Sequence, residues 1–169
     1  ALHAFTVVTQ VPYGQNIESN SGDRDELTLL VLAGRWPCAT WGSRLQRALH
    51  QARRLHEFEV ASRGRLFIIK TREDLETYVD LRRTNQAVTA GWLGIEGTQA
   101  LDGSLASLEP LDRAGFRMIS IAHFVDTDFG GSAHGTAKGG LTAMGRELVG
   151  QMEARRMLVG LAHASNQTI

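Results

Sequence analysis

Three residues able to bind a metal or carry a proton each close an apolar, strand-like run. Glu96 ends GWLGIE, His123 ends FRMISIAH and His163 ends MLVGLAH. Side chains at the C-terminal ends of successive parallel strands share one mouth, and in barrels of strands and helices that mouth is where active sites are built. A carboxylate and two imidazoles gathered there make a metal or acid–base site. Each residue alone has a plainer reading. A buried carboxylate is costly unless paired, so Glu96 could be a structural acid held by an arginine. His123 and His163 could be satisfied histidines at a sheet edge. The repeated strand-end placement, with strand interiors left apolar, is what favours a site.

The remaining candidates carry less. His50 and His56 fall on an amphipathic helix and read as surface residues, whereas His134, in GGSAHG on a glycine-rich loop, is within reach of a ligand. That loop is not a phosphate cradle: KGGLT lacks the spacing of a P-loop, and no G-x-G-x-x-G occurs. Its glycines suit turns and close backbone approach. Ser165 lacks the G-x-S-x-G setting of a nucleophile elbow. Cys38, in RWPCATW, reads as a small, partly buried hydrophobe.

The elements that must position these groups alternate. FTVVT (5–9) predicts a buried strand, and VPYGQNIESNSGDRDE a loop. A short helix is expected over 27–33, ending at Gly34. From Thr40 a long amphipathic helix follows, with Leu45, Ala48, Leu49, Ala52, Leu55 and Phe58 on one stripe and Arg44, Arg47, Gln51 and Arg54 on another. RLFII predicts a second strand. Thr71-Arg-Glu-Asp74 has the pattern of a capping box opening a helix. Strands are then expected over 91–95, 116–122 and 157–162. A helix over 105–114, started or kinked by Pro110, and one striped by Leu141, Met144, Leu148 and Met152 lie between them. Strands apolar on both faces, alternating with helices, argue a parallel sheet covered by helices.

The chain has 169 residues with 18 basic and 18 acidic side chains, hence no net field to hold nucleic acid or an anionic membrane. No apolar run reaches the ~20 residues that span a bilayer. One cysteine excludes a disulfide framework and any multi-cysteine zinc motif. The chain opens at Ala1 almost directly into a strand and stops just after another. Five strand candidates fall short of a complete eight-stranded barrel, which takes at least ~200 residues. The fold expected is therefore α/β: one domain over 1–169, part of a (β/α)8 TIM-type barrel, without the first strand and the C-terminal strands.

GIEG, LDRAGFRMISIAH and GGLTAMGRELVGQMEARRMLVGLAHAS, in that order, resemble the membrane (renal-type) dipeptidase family of zinc peptidases. The likeness runs from about Gly91 to the C-terminus and extends more loosely back to FTVVTQVPYGQN. It implies a distorted barrel of the metal-dependent hydrolase kind, two zinc ions, and cleavage of dipeptides, some with a D-residue in second place. It also assigns roles. Glu96 would be the carboxylate bridging both metals and His163 a ligand of one. His123 would be a catalytic, substrate-contacting histidine that is not a ligand. The chemistry implied is hydrolysis by a metal-bridging hydroxide.

Departures accompany the likeness. No H-x-D occurs, although the family's first strand carries a His-x-Asp metal motif. Gly160 stands where an acid is usual, and Phe124 where a small or polar residue is frequent. The reading is thus a zinc dipeptidase whose 169-residue chain is by itself inactive. A non-catalytic α/β ligand-binding module and an inactive family relative stay open as alternatives. The expected partner is a dipeptide, without nucleic acid or a membrane span, and a homodimer is compatible. The cytoplasm is the default compartment, with export as the alternative.

Overall fold

The computed structural model describes residues 1–169, all of them assigned to elements or connecting loops. The strands are β1 (Leu2–Val8), β2 (Leu66–Ile68), β3 (Thr89–Glu96), β4 (Phe116–Ser120) and β5 (Leu158–Gly160). The helices are α1 (Leu27–Ala33), α2 (Ala39–Gly42), α3 (Arg44–Ala61), α4 (Arg72–Thr84), α5 (Leu108–Arg113) and α6 (Ala143–Ala154).

All strand pairings are parallel, and β3 is the axis of the sheet. Its whole length pairs with β1, from Leu2 opposite Ala90 to Val8 opposite Glu96. Its other edge is shared: β2 covers Thr89 to Gly91, and β4 takes over from Leu93, with a register shift between Leu93 and Gly94. β5 continues beyond β4, Ser120 facing Gly160. The order β1-β3-β4-β5, with β2 as a short flank of β3, differs from a simple succession of five. β1 pairs seven residues of β3, and β2 only three. The result is an α/β partial barrel of parallel strands.

The core lies where α3, α5 and α6 meet the sheet. Ala48 and Ala52 of α3, Leu108 and Leu111 of α5 and Leu148 and Met152 of α6 are buried against Leu93, Ile95, Phe116 and Ile119. Leu45, Leu49 and Leu55 of the apolar stripe read from the sequence also pack on this core, whereas Phe58, at its end, is exposed.

Helix starts follow local chemistry. Thr71 and Asp74 form the capping box, each side chain satisfying the other's backbone N–H. Thr142 accepts from Gly145 N to start α6. The helix expected from Thr40 is broken at Ser43, whose extended backbone ends α2 and whose hydroxyl accepts from Gln46 N to cap α3. The carboxylate of Asp102, in the loop after β3, accepts from Ser43 Oγ, Arg44 N and Leu45 N at 2.6, 3.0 and 3.2 Å. It completes the same cap from a distance in sequence. The 105–114 helix is likewise divided, a 3-10 turn over Leu105–Ser107 preceding α5.

Arg47 overturns the polar stripe expected of α3. It is 2% exposed, and its guanidinium donates to the carbonyls of Thr40, Thr9 and Trp41, to Thr28 Oγ1 and to the Asp25 carboxylate. One side chain thereby joins the end of β1, α1 and α2. Burial works to raise the Asp25 carboxyl, but the N–H of Val11 and the Arg47 charge outweigh it and hold the group below its ordinary value. Cys38 is also corrected: it is exposed, at the start of the short α2, where little packs over it.

Candidate metal centre

Glu96 is the last residue of β3, so the strand itself aims its carboxylate from the C-terminal end of the sheet. β4 and β5 are shorter than expected and stop at Ser120 and Gly160, so His123 and His163 each stand three residues past a strand end. They are held there by loop hydrogen bonds rather than by the sheet ladder. The carbonyl of Ile121 accepts from Thr98 Oγ1 at 2.7 Å, and the buried hydroxyl of Ser132 donates to the carbonyl of His123. The carbonyl of His163 accepts from Ala133 N at 2.8 Å. His163 has φ of 64°, a left-handed backbone uncommon outside glycine. This turn carries its ring back toward Glu96 and is the kind of local cost that clusters at functional sites.

The three side chains converge. One ligand atom from each of Glu96, His123 and His163 lies within 4.8 Å of the others. Nε2 of His123 is 3.8 Å and Nε2 of His163 3.9 Å from Oε2 of Glu96. Both separations are too long for hydrogen bonds. They slightly exceed the ~3.3 Å between two donors of one tetrahedral ion with ~2.0–2.1 Å bonds. The donor set suits a borderline cation: two imidazoles and one carboxylate, part-buried and open on one side.

The protonation state suits it as well. Burial pushes the His123 imidazole below its ordinary value, and the neighbouring His163 adds to this. Glu96 opposes the shift and His134 reinforces it. A neutral imidazole is the form that can donate a lone pair. Nδ1 of His123 is buried with no hydrogen-bond partner, and Nε2 is the ring nitrogen that lies beside Glu96. The residues present therefore fit a bound metal.

Around the donors lies an aromatic collar that the strand-end pattern did not disclose. The Phe124 ring centroid is 4.7 Å from that of His123, 5.0 Å from His163 and 4.8 Å from His134. His123 and His163 meet edge to face at 4.7 Å. His134, weighed from sequence only as a loop residue near a ligand, stands 5.1 Å from His163. Its loop is organised by Asp126, whose carboxylate accepts from the N–H groups of Ser132 and Ala137 at 2.8 Å each. Gly135 passes so close to Asp126 that any Cβ would collide with the carboxylate. The GGSAHG pattern was thus the available signal, but the acid that needs the glycine is nine residues earlier.

Other candidates stand elsewhere. His56 Nε2 pairs with the carbonyl of Ala114 at 3.0 Å, and His50 packs on Trp36. Ser165 is buried and donates to the carbonyl of Gly139, a structural contact. Gly160 faces Ser120 so closely that a Cβ there would meet its hydroxyl, so the small residue fits the packing of β5 on β4. A cavity of about 740 Å³ is lined instead by residues including Gln10, Arg44, Gln99 and Asp128, and contains none of the three donors. No helix is long and apolar enough to cross a membrane.

The same architecture occurs in known proteins. A metallo peptidase from Rhodobacter sphaeroides, solved with a phosphinate mimic of the dipeptide L-Ala-D-Ala, matches with a TM-score of 0.63. The two are 25% identical, and the match covers 74% of this chain and 36% of that one. A probable dipeptidase from Pseudomonas aeruginosa shares the fold, with a TM-score of 0.64 at 17% identity over 98% of this chain and 46% of its own. An uncharacterized dipeptidase of Schizosaccharomyces pombe is 36% identical over 81 residues, 46% of this chain and 20% of that protein. The chain thus spans less than half the length of these relatives. The family model described as Membrane dipeptidase (Peptidase family M19) matches residues 22–169, which contain all three converging donors. The chain belongs to the membrane dipeptidase family.

Proposed function

We propose that this chain is part of a zinc-dependent dipeptidase. The observation that carries the reading is the convergence of Glu96, His123 and His163 at the C-terminal side of three neighbouring parallel strands. Glu96, whose Oε2 lies nearest the Nε2 of both histidines, would be the carboxylate shared between two ions. His163 serves one ion. His123, more deeply buried and neutral, faces the substrate, donating to the carbonyl of the scissile peptide as charge develops on its oxygen. Zinc bound here supplies Lewis acidity, polarising that carbonyl and acidifying water. Ser132 and Thr98 hold the backbone that carries His123, and the Phe124 ring keeps bulk water off one side.

The substrate class is taken from the family and from the relative solved with a phosphinate mimic of L-Ala-D-Ala. A dipeptide with an L-residue first, and a D- or L-residue second, is the substrate to try. Glu96 and His163 are fewer donors than two tetrahedral ions need, so the 169-residue chain alone is expected to hydrolyse no dipeptide even with zinc added. The test is to express the complete product of the gene and measure zinc content and hydrolysis of L-Ala-D-Ala and L-Ala-L-Ala on the same samples. Two zinc ions per chain with turnover are expected. A metal-free, inactive product with intact fold overturns the reading and favours an inactive relative.

A further inference from the structure

The His134 ring is anchored by a hydrogen bond of a kind that the rings of His123 and His163 do not make. Its Nδ1 lies 2.7 Å from the carbonyl oxygen of Ile17; a carbonyl only accepts, so Nδ1 carries the hydrogen. Its own carbonyl accepts from both N and Nδ2 of Asn20, at 2.8 and 2.9 Å, and its N–H donates to Ser132 Oγ at 3.0 Å. The ring lies stacked on Phe124, tilted by 23°, with the His163 ring on another side at 5.1 Å. In the neutral ring this leaves one unused polar atom, Nε2, which is an acceptor and points away from Ile17. His134 is not among the side chains whose ligand atoms converge with Glu96. It stands one imidazole further out.

A dipeptide has a group for that position. Its α-nitrogen lies about 2.5 Å from the scissile carbonyl carbon, by covalent geometry. With that carbonyl at His123, an α-nitrogen on its Phe124 side approaches the His134 ring, because the Phe124 ring lies 4.7 Å from His123 and 4.8 Å from His134. As an ammonium it is a pure donor, and an imidazole lone pair beside an apolar ring is complementary to it. We propose that His134 is a substrate-positioning residue that accepts a hydrogen bond at Nε2 from the free α-ammonium group of the dipeptide. The inference rests on the dipeptidase reading above, and it makes the loop over 14–20 part of substrate recognition through the Ile17 contact.

The test uses the zinc-loaded complete gene product and two probes: a phosphinate mimic of Ala-Ala, and the same mimic lacking its amino group. Calorimetry should show the amino-bearing probe binding about tenfold or more tighter, the size of one charge-assisted hydrogen bond. His134→Ala should abolish most of that preference while leaving zinc content and affinity for the des-amino probe unchanged. His134→Gln, whose amide oxygen can accept, should restore part of it. On the unmutated protein, the 15N resonance of His134 Nε2 should move with the amino-bearing probe and not with the other, a readout that survives if the variants fail to fold. Equal weakening of both probes in His134→Ala, or an Nε2 signal indifferent to the amino group, overturns the proposal while leaving the dipeptidase reading standing. Failure of the unmutated protein to bind either probe overturns both.

Discussion

Val8 and Glu96 face each other at the ends of β1 and β3, the last of seven consecutive register pairs. The carboxylate that anchors the candidate site is therefore aimed by the longest pairing in the sheet. The two histidines are aimed by loops, so the three donors should differ in how much disruption each tolerates.

Metal content should divide by residue. In the complete gene product, Glu96→Gln should keep the fold but weaken both ions, by more than the roughly 100-fold that loss of an outer partner costs. His163→Ala should lose one ion preferentially. His123→Ala should keep near-normal zinc and lose turnover by about 10²-fold or more. Elemental analysis beside dipeptide hydrolysis checks all three; zinc loss in His123→Ala equal to that in His163→Ala would show that His123 is a ligand.

Arg47→Met should be among the most damaging single changes in the chain. It leaves Asp25, whose side chain is 12% exposed, without its partner and three carbonyls without their donor. Breaking such a buried pair costs about 3–5 kcal/mol. Urea unfolding of the variant should give a midpoint well below that of the unmutated chain, with Arg54→Met, in an exposed pair, as the near-neutral control.

Stability of the metal-free protein should fall with acidity in two separate windows. The folded state depresses the His123 pKa, so between the folded value and the ordinary 6.5 the unfolded chain binds more protons and stability rises with pH. Melting temperatures should therefore be level above pH 7 and decline as pH falls through 6.5, and His123→Gln should flatten that decline. Asp25, also depressed, contributes stability that is present above its ordinary 3.8 and lost only as pH falls further, through the folded value.

The 169-residue chain should associate on concentration. The outer edge of β1 is unpaired and most of that strand is exposed, and Leu158 on β5 is 56% exposed. Open parallel edges with apolar faces recruit other strands. Sedimentation velocity should show concentration-dependent species and heat should give a broad transition; a clean monomer with one sharp melt would count against this.

Local chemistry was the legible part of the fold. The Thr71–Asp74 box, the end of α1 at Gly34 and the strand end at Glu96 all rest on short-range rules of capping, turns and periodicity, whereas His123 and His163, expected to close strands, stand three residues past them. What was not legible depends on tertiary partners. Arg47 looks solvent-exposed by helical spacing and is buried because five acceptors from distant segments surround it. The placement of β1 beside β3 rather than beside β2 is a pairing between segments more than eighty residues apart, which no local pattern marks. Phe124 and His134 joined the site because Asp126 folds the loop between them, and no periodicity marks a loop acid of that kind.

The Asp102 carboxylate that closes the N-terminus of α3 belongs to the turn leaving Glu96. The longest helix therefore cannot finish its first turn until the strand bearing the anchor of the site has docked. Fraying at Arg44 and Leu45 becomes a gauge of whether that docking has occurred, legible as amide protection far from any metal or substrate. In a refolding experiment these two amides should acquire protection together with β3 and later than the middle of their own helix, since nucleation there is local and the closure of its start is not.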